Sequence, residues 1–257
     1  MRCVAVIAVR NGLDYARKCI QHLNNNNIEV AIIDQSSDDG TYDICKEFLN
    51  NGVCEIRRID YPGFFSLEDQ LIQKFRLIEK LKTDWVIHQD IDENLESPLV
   101  NNNLKDSISA EDAKGYNVIN FNEFVFLPYD NNISFYKSPF YYFFEPFPSR
   151  LMRAWKKSAS LSSIESGGHK LKGNIKLSPL NHNLLHYIFS SQDNAYNKYQ
   201  NRVFTKFETD KGWHRNRLKI DIERLTFPDK KQMEIRTFNE LYNFNTSNPW
   251  KKHYWEI

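Results

Sequence analysis

The first ninety residues alternate short apolar runs with segments of helical period, and few architectures accept that pattern. Cys3–Val9 is a continuous run rich in β-branched residues, which reads as a strand buried on both faces. Leu13, Ala16, Cys19, Ile20 and Leu23 then share one helical face. Ile28–Ile33 is a second buried strand ending at Asp34, and Ser36-Ser37-Asp38-Asp39-Gly40 offers N-caps for a helix carrying Tyr42, Cys45, Phe48 and Leu49. Val53–Ile59 is a third strand. Ser66 opens a helix through Leu81, with Asp69 as a partial capping box, and Trp85–Gln89 is a fourth strand. Strands separated by such helices imply right-handed βαβ units and a parallel sheet. The predicted class is α/β: a Rossmann-like, mostly parallel central sheet flanked by helices.

After Pro98 the alternation stops. Tyr116–Val125, Ser149–Trp155 and Leu184–Phe189 read as strands, with the aromatic stretch Phe135–Phe147 between the first two. Residues 158–182 read as loop, Gln192–Phe207 as helix, and the Asn-rich stretches Asn24 to Asn27 and Asn101 to Asn103 as loops. The expected organisation is one domain over 1–257, with a first half (1–95), a second half (96–211) and a tail (212–257).

Composition narrows the function. A formal net charge of +1 supplies no global field for nucleic acid, and no apolar stretch reaches the ~20 residues of a membrane span. Met1–Ala8 reads as a first core strand rather than a signal peptide, because its apolar run is short and Arg10-Asn11 follows at once. Cys3, Cys19, Cys45 and Cys54 lie on apolar faces without Cys-x-x-Cys spacing, which suits buried thiols in a reducing compartment.

In open α/β sheets ligands bind beyond the carboxyl ends of the strands. Arg10-Asn11, Asp34 and Asp90-Ile91-Asp92-Glu93 all fall at such ends. Asp90 and Asp92 face one side while Ile91 points back to the core, a pair suited to a divalent cation with open positions for phosphates. A solvated strand end or cap is the plainer reading of such a pair.

Val6-Ile7-Ala8-Val9-Arg10-Asn11, Ile32-Ile33-Asp34-Gln35-Ser36-Ser37-Asp38-Asp39-Gly40-Thr41 and Asp84-Trp85-Val86-Ile87-His88-Gln89-Asp90-Ile91-Asp92-Glu93, in this order and spacing, resemble a family-2-like glycosyltransferase of the GT-A fold, in the subgroup with a His-x-Asp-x-Asp-Glu ending. The resemblance covers roughly the first 95 residues and implies that these form a nucleotide-sugar-binding half, with 96–211 as the acceptor-side half. It implies that Ala8, Arg10 and Asn11 line a nucleotide pocket and that Asp34 meets base or ribose, with Ser36 and Asp39 nearby. It implies further that Asp90 faces the ribose or the metal's outer shell and that Asp92 ligates Mn²⁺ or Mg²⁺. Two departures stand out: Gly12 replaces an acidic residue, and Gln73, Lys74 and Arg76 replace a small-residue and Asn signature. Lys74 joins the nucleotide-sugar set.

The implied reaction is attack of an acceptor hydroxyl on the anomeric carbon of a nucleotide sugar, with inversion, using a carbohydrate or glycolipid acceptor. Surface polysaccharide or glycolipid assembly from the cytosolic side follows from family habit. For the general base, the glycine-rich segment Ser163–His169 offers Glu165, with His169 as rival or diphosphate contact. His186, alternating with apolar neighbours, is either a third metal ligand or a core histidine. The aromatic set from Phe135 to Phe147 fits sugar stacking, membrane skimming, core packing or a homo-oligomer interface. Trp213, His214, Arg215, Arg217 and Lys219 fit an anionic acceptor, a peripheral membrane contact or a solvated face. The competing functions are a nucleotidyltransferase, which wants a glycine- and basic-rich loop that Asn11-Gly12-Leu13-Asp14 lacks, a non-catalytic nucleotide- or sugar-binding module, and an oligomeric scaffold.

Overall fold

The computed structural model describes residues 1–99, 101–130, 133–191, 193–195, 198, 202–214, 216–218, 220, 225–237 and 244–256. Its framework is the predicted one. Strand β1 (Cys3–Val9) pairs in parallel with β2 (Glu29–Gln35) and β4 (Trp85–Gln89), and β2 pairs in parallel with β3 (Val53–Ile59). Helices α1 (Leu13–Asn25), α2 (Thr41–Glu47) and α3 (Leu67–Lys80) supply the crossovers. Buried β1 side chains divide between two core layers: Ala5 and Ile7 pack toward Ala16, Cys19 and Ile20, while Val4 and Val6 pack toward Leu77 and Leu81. Each such aliphatic side chain adds about 1.5–3 kcal/mol when taken fully from water. Ser66 Oγ accepts the Asp69 N–H at 3.2 Å, so the cap expected for α3 is present.

Beyond β4 the sheet becomes largely antiparallel. Its order is β10-β7-β6-β8-β4-β1-β2-β3, formed with β6 (Val118–Phe126), β7 (Phe140–Phe144), β8 (Met152–Lys156) and β10 (Glu234–Ile235). Off this path, β9 (His182–His186) pairs in parallel with β6 and antiparallel with β5 (Glu93–Glu96). Four elements were not expected from the sequence: β5, β7, β10 and helix α4 (Leu104–Ala113), the last capped by Asn103 at the end of a presumed Asn-rich loop. The strand expected over Leu184–Phe189 begins and ends earlier, at His182 and His186, with His182 Nε2 2.8 Å from Ser107 Oγ.

The aromatic stretch is mainly core. Tyr141, Tyr142, Phe143 and Phe144 are buried, whereas Phe147 is exposed. All four cysteines are free thiols, and burial pushes Cys3 and Cys45 up to about 12, which makes them unreactive. Parts of the helix expected over Gln192–Phe207, and Arg215 and Lys219, lie outside the described residues; Lys206–Asp210 forms a short helix, α5. Among the described residues no helix is long and apolar enough to cross a membrane.

Candidate active site

The carboxyl ends of β1, β2 and β4 open on a cleft of about 900 Å³, closed on its far side by residues of the second half. Ala8, Arg10, Asn11 and Gly12 form its edge at β1. Asn11 has a left-handed backbone (φ 52°), and its amide exchanges hydrogen bonds with Asp38, at 2.8 Å to the carboxylate and 3.1 Å from the Asp38 N–H. That exchange ties the loop after β1 to the loop after β2. Gly12 is the departure from the family pattern that geometry explains. A Cβ there would meet Val9 Cγ2 at 2.9 Å and Ile91 Cγ2 at 3.1 Å, so a side chain at this position requires both neighbours to shift.

The Arg10 guanidinium carbon lies over Tyr61, 3.9 Å from the ring centroid, and Arg10 donates to the Gln35 and Ser36 carbonyls. Asp34, Ser36 and Asp39, expected around the base or ribose, do not line the cleft. Asp34 is fully buried and accepts the Ser37 N–H at 3.1 Å, an Asx turn closing β2. Ser36 Oγ donates to the Ile59 carbonyl, and Asp39 accepts from Thr41 and from the Leu13 N–H. These three residues shape the loops, and the neighbouring Gln35 reaches the cleft in their place.

The floor is made by the end of β4. Asp90 is half exposed, with Lys74 Nζ 3.2 Å from one oxygen and Arg153 3.4 Å from the other. Burial favours its neutral form, but Lys74 and Arg153 outweigh that and hold the carboxyl well below the usual range. Lys74 itself is buried, bonded to the Gln89 carbonyl at 2.9 Å, and acts from behind Asp90 without lining the cleft. Glu93 turns inward, accepting from Arg153 at 2.7 Å and from the Asp90 N–H at 3.0 Å; burial pushes it up to about 7 despite Arg153.

Asp92 faces Lys198 Nζ at 2.7 Å and His186 Nε2 at 3.7 Å. Burial raises its pKa, and Lys198 and His186 more than reverse this, so it stays ionised. His186 is held between two acids, its Nδ1 2.6 Å from Glu123. Burial opposes its charge, yet Asp92 and Glu123 lift it to about 10, so it is an imidazolium with both nitrogens engaged. Glu123 is paired in turn with Arg150.

A hard cation that shares its sphere with phosphates needs one or two protein carboxylates rather than a full cage. Among the described residues no group of three His, Cys, Asp or Glu side chains forms such a cage. Asp92 and Asp90, both ionised and lining the cleft, fit the smaller requirement. His186, the other expected ligand, lies beside Asp92 with its Nδ1 engaged by Glu123.

The two candidate bases part company. Glu165 is exposed, paired with Lys172, and not part of the cleft lining. His169 does line the cleft; burial, then Arg150 and Arg153, push it down to about 3 and keep it neutral. Glu123, Arg150, Arg153 and Lys198 are site residues that sequence reasoning missed. The available signal was a charge inside a largely apolar strand, as for Glu123 in Phe121–Phe126 and Arg153 in Leu151–Trp155. Of the basic tail, Trp213, His214 and Arg217 reach the cleft.

Residues 4–63 match the family model described as glycosyl transferase family 2. That match spans β1, α1, β2, α2 and β3. No curated protein matches the chain. Among solved structures it is similar to S. aureus TarS 1-349 in complex with UDP-GlcNAc, at 14% identity over 62% of this chain and 46% of that one, TM-score 0.43. TarS 1-349 in complex with UDP gives 12% identity, 85% and 70% coverage and a TM-score of 0.48, and S. aureus TarS gives 13%, 90%, 45% and 0.47. The chain thus spans less than half the length of the first of these.

Proposed function

We propose that this chain transfers a sugar from a nucleoside-diphosphate donor to a hydroxyl acceptor, with inversion at the anomeric carbon. One observation carries the reading: the family-2 match over residues 4–63 falls on the strands whose carboxyl ends open on the cleft, and Asp90 and Asp92 form its floor. The acceptor oxygen bonds to the anomeric carbon as the bond to the diphosphate breaks, and negative charge grows on the leaving phosphate. Arg150, Arg153 and Lys198 stand on the cleft wall to meet that charge. Asp92, with Asp90, would hold Mn²⁺ or Mg²⁺, which supplies further charge stabilisation to the diphosphate. His169, neutral and in the cleft, accepts a hydrogen bond from the acceptor hydroxyl and orients it; its low pKa makes it a poor store for the proton, which passes on to water as the new bond forms. A carbohydrate or glycolipid destined for a surface polymer is the acceptor class this reading favours.

The test is release of nucleoside diphosphate from a panel of nucleotide sugars, with candidate glycans as acceptors. Acceptor-dependent release that falls at least about 100-fold in Asp92→Asn supports the proposal. Release unaffected by that substitution, or none with any donor and acceptor, contradicts it.

A further inference from the structure

Both carboxylates of the cleft floor already have cations beside them. Asp90 is met by Lys74 and Arg153, and Asp92 by Lys198 at 2.7 Å and His186 at 3.7 Å. A carboxylate in that state offers a divalent cation little net attraction, because the charge already beside it repels the newcomer. For Asp92 to hold such a cation tightly, a neighbour has to give way.

The four neighbours are not equally free to do so. Lys74 is buried, bonded to the Gln89 carbonyl, and outside the cleft lining. Arg153 is fixed by Glu93 at 2.7 Å, and His186 by Glu123 at 2.6 Å. Lys198 differs from these three. It lines the cleft, belongs to the segment after β9, and apart from Asp92 it donates to a neutral acceptor, the Ile188 carbonyl at 2.7 Å. An anion entering the cleft competes with one carboxylate for this ammonium, and a diphosphate carries more charge than a carboxylate.

We propose that Lys198 keeps divalent cations off Asp92 while the cleft is empty, and that the donor's diphosphate opens the carboxylate by drawing the ammonium to itself. Cation and nucleotide then enter as a pair, and each raises the affinity for the other. The inference rests on the nucleotide-sugar reading above and deepens it by naming the residue that couples the two ligands.

The test measures Mn²⁺ alone, from the electron paramagnetic resonance signal of the free ion, and metal-free UDP, dTDP, GDP, CDP and ADP by calorimetry. The full chain is compared with Lys198→Met and with Lys198→Gln, which keeps a donor for the Ile188 carbonyl. Both variants are expected to bind Mn²⁺ about tenfold or more tighter than the native chain, and adding Asp92→Asn is expected to abolish the gain. The same two variants are expected to bind the nucleotide about threefold or more weaker. Misfolding does not produce changes of opposite sign. Lys251→Met removes a cleft-lining charge that is bonded to the Glu145 carbonyl, and is expected to leave Mn²⁺ affinity within about threefold of native. Mn²⁺ affinity unchanged or lowered in both Lys198 variants, raised equally in Lys251→Met, or raised without loss of nucleotide affinity overturns the proposal while leaving the nucleotide site intact. Binding of none of the five nucleotides to the native chain, with or without Mn²⁺, overturns both the proposal and the transferase reading.

Discussion

Asp92 Oδ2 lies 2.7 Å from the ammonium of Lys198, a residue more than a hundred positions along the chain. The same ammonium donates to the Ile188 carbonyl at 2.7 Å, so Lys198 pins the segment after β9 to the cleft floor. Lys198→Met removes a cation from the cleft wall, and the transfer rate is expected to drop about 10- to 100-fold with the far-UV circular dichroism spectrum retained. Steady-state kinetics check this; an unchanged rate places Lys198 outside the reaction.

Arg153 and Glu93 form a buried pair at 2.7 Å. Arg153→Met leaves Glu93 without its cation, a loss of about 3–5 kcal/mol when the acid remains ionised. The folded pKa of Glu93 is raised to about 7 from 4.5, so ionised Glu93 weakens the fold above pH 4.5 and increasingly toward pH 7. The Arg153→Met loss is accordingly larger at pH 8 than at pH 5. Urea unfolding at both pH values measures it, and adding Glu93→Gln is expected to recover much of the loss.

His182 and His253 are buried and neutral, with pKa values pushed down by burial to about 4 and about 3. In the unfolded chain each takes a proton near pH 6.5, so folding stability falls as pH drops below 6.5, by up to about 1.4 kcal/mol per pH unit per histidine. His186 has the opposite sign: its folded pKa of about 10 contributes stability that is complete below pH 6.5 and is lost as pH rises toward 10. Melting temperature against pH is expected to peak near neutrality, and His186→Gln is expected to remove part of the alkaline slope.

Gly168 has φ +84°, and a Cβ there would meet His88 Cε1 at 2.9 Å and Leu71 Cδ2 at 3.3 Å. Gly168→Ala is expected to destabilise by more than about 1 kcal/mol and to move the neighbouring His169. Paired measurements of melting temperature and turnover check it. Gly63→Ala, at φ +90° with open space around it, is the control that isolates the backbone effect.

Much of the first half was legible because β1, β2 and β4 are buried on both faces and their helices carry one apolar stripe, so period and burial agree. Helix α4 escaped because Leu104, Ile108 and Glu111 bury a mixed face behind an Asn-rich lead-in. Strand β5 escaped because it is only four residues long, Glu93-Asn94-Leu95-Glu96, and its first residue closes the Asp90–Glu93 motif. For the site, the strand-end position of Asp90 and Asp92 was visible from pattern. Lys74 was named from the sequence, but two of the cations that neutralise them were not: Arg153 and Lys198 reach the floor only through the antiparallel pairing of β8 to β4 and the long return after β9. Glu165 shared a segment with His169, yet the turn at Gly167 and Gly168 sends one side chain to solvent and the other to the cleft.

Thermal unfolding with nucleoside diphosphates, with and without Mn²⁺, tests the central claim most directly, run in parallel on Asp92→Ala. Ligand at ~100 times its dissociation constant adds about 2.7 kcal/mol, which for a chain of this length is a rise of roughly 5–11 °C. The account predicts such a rise with at least one nucleotide, larger with Mn²⁺ and lost in Asp92→Ala. No rise with any nucleotide, or a rise that Asp92→Ala leaves untouched, contradicts a diphosphate site on the floor of this cleft.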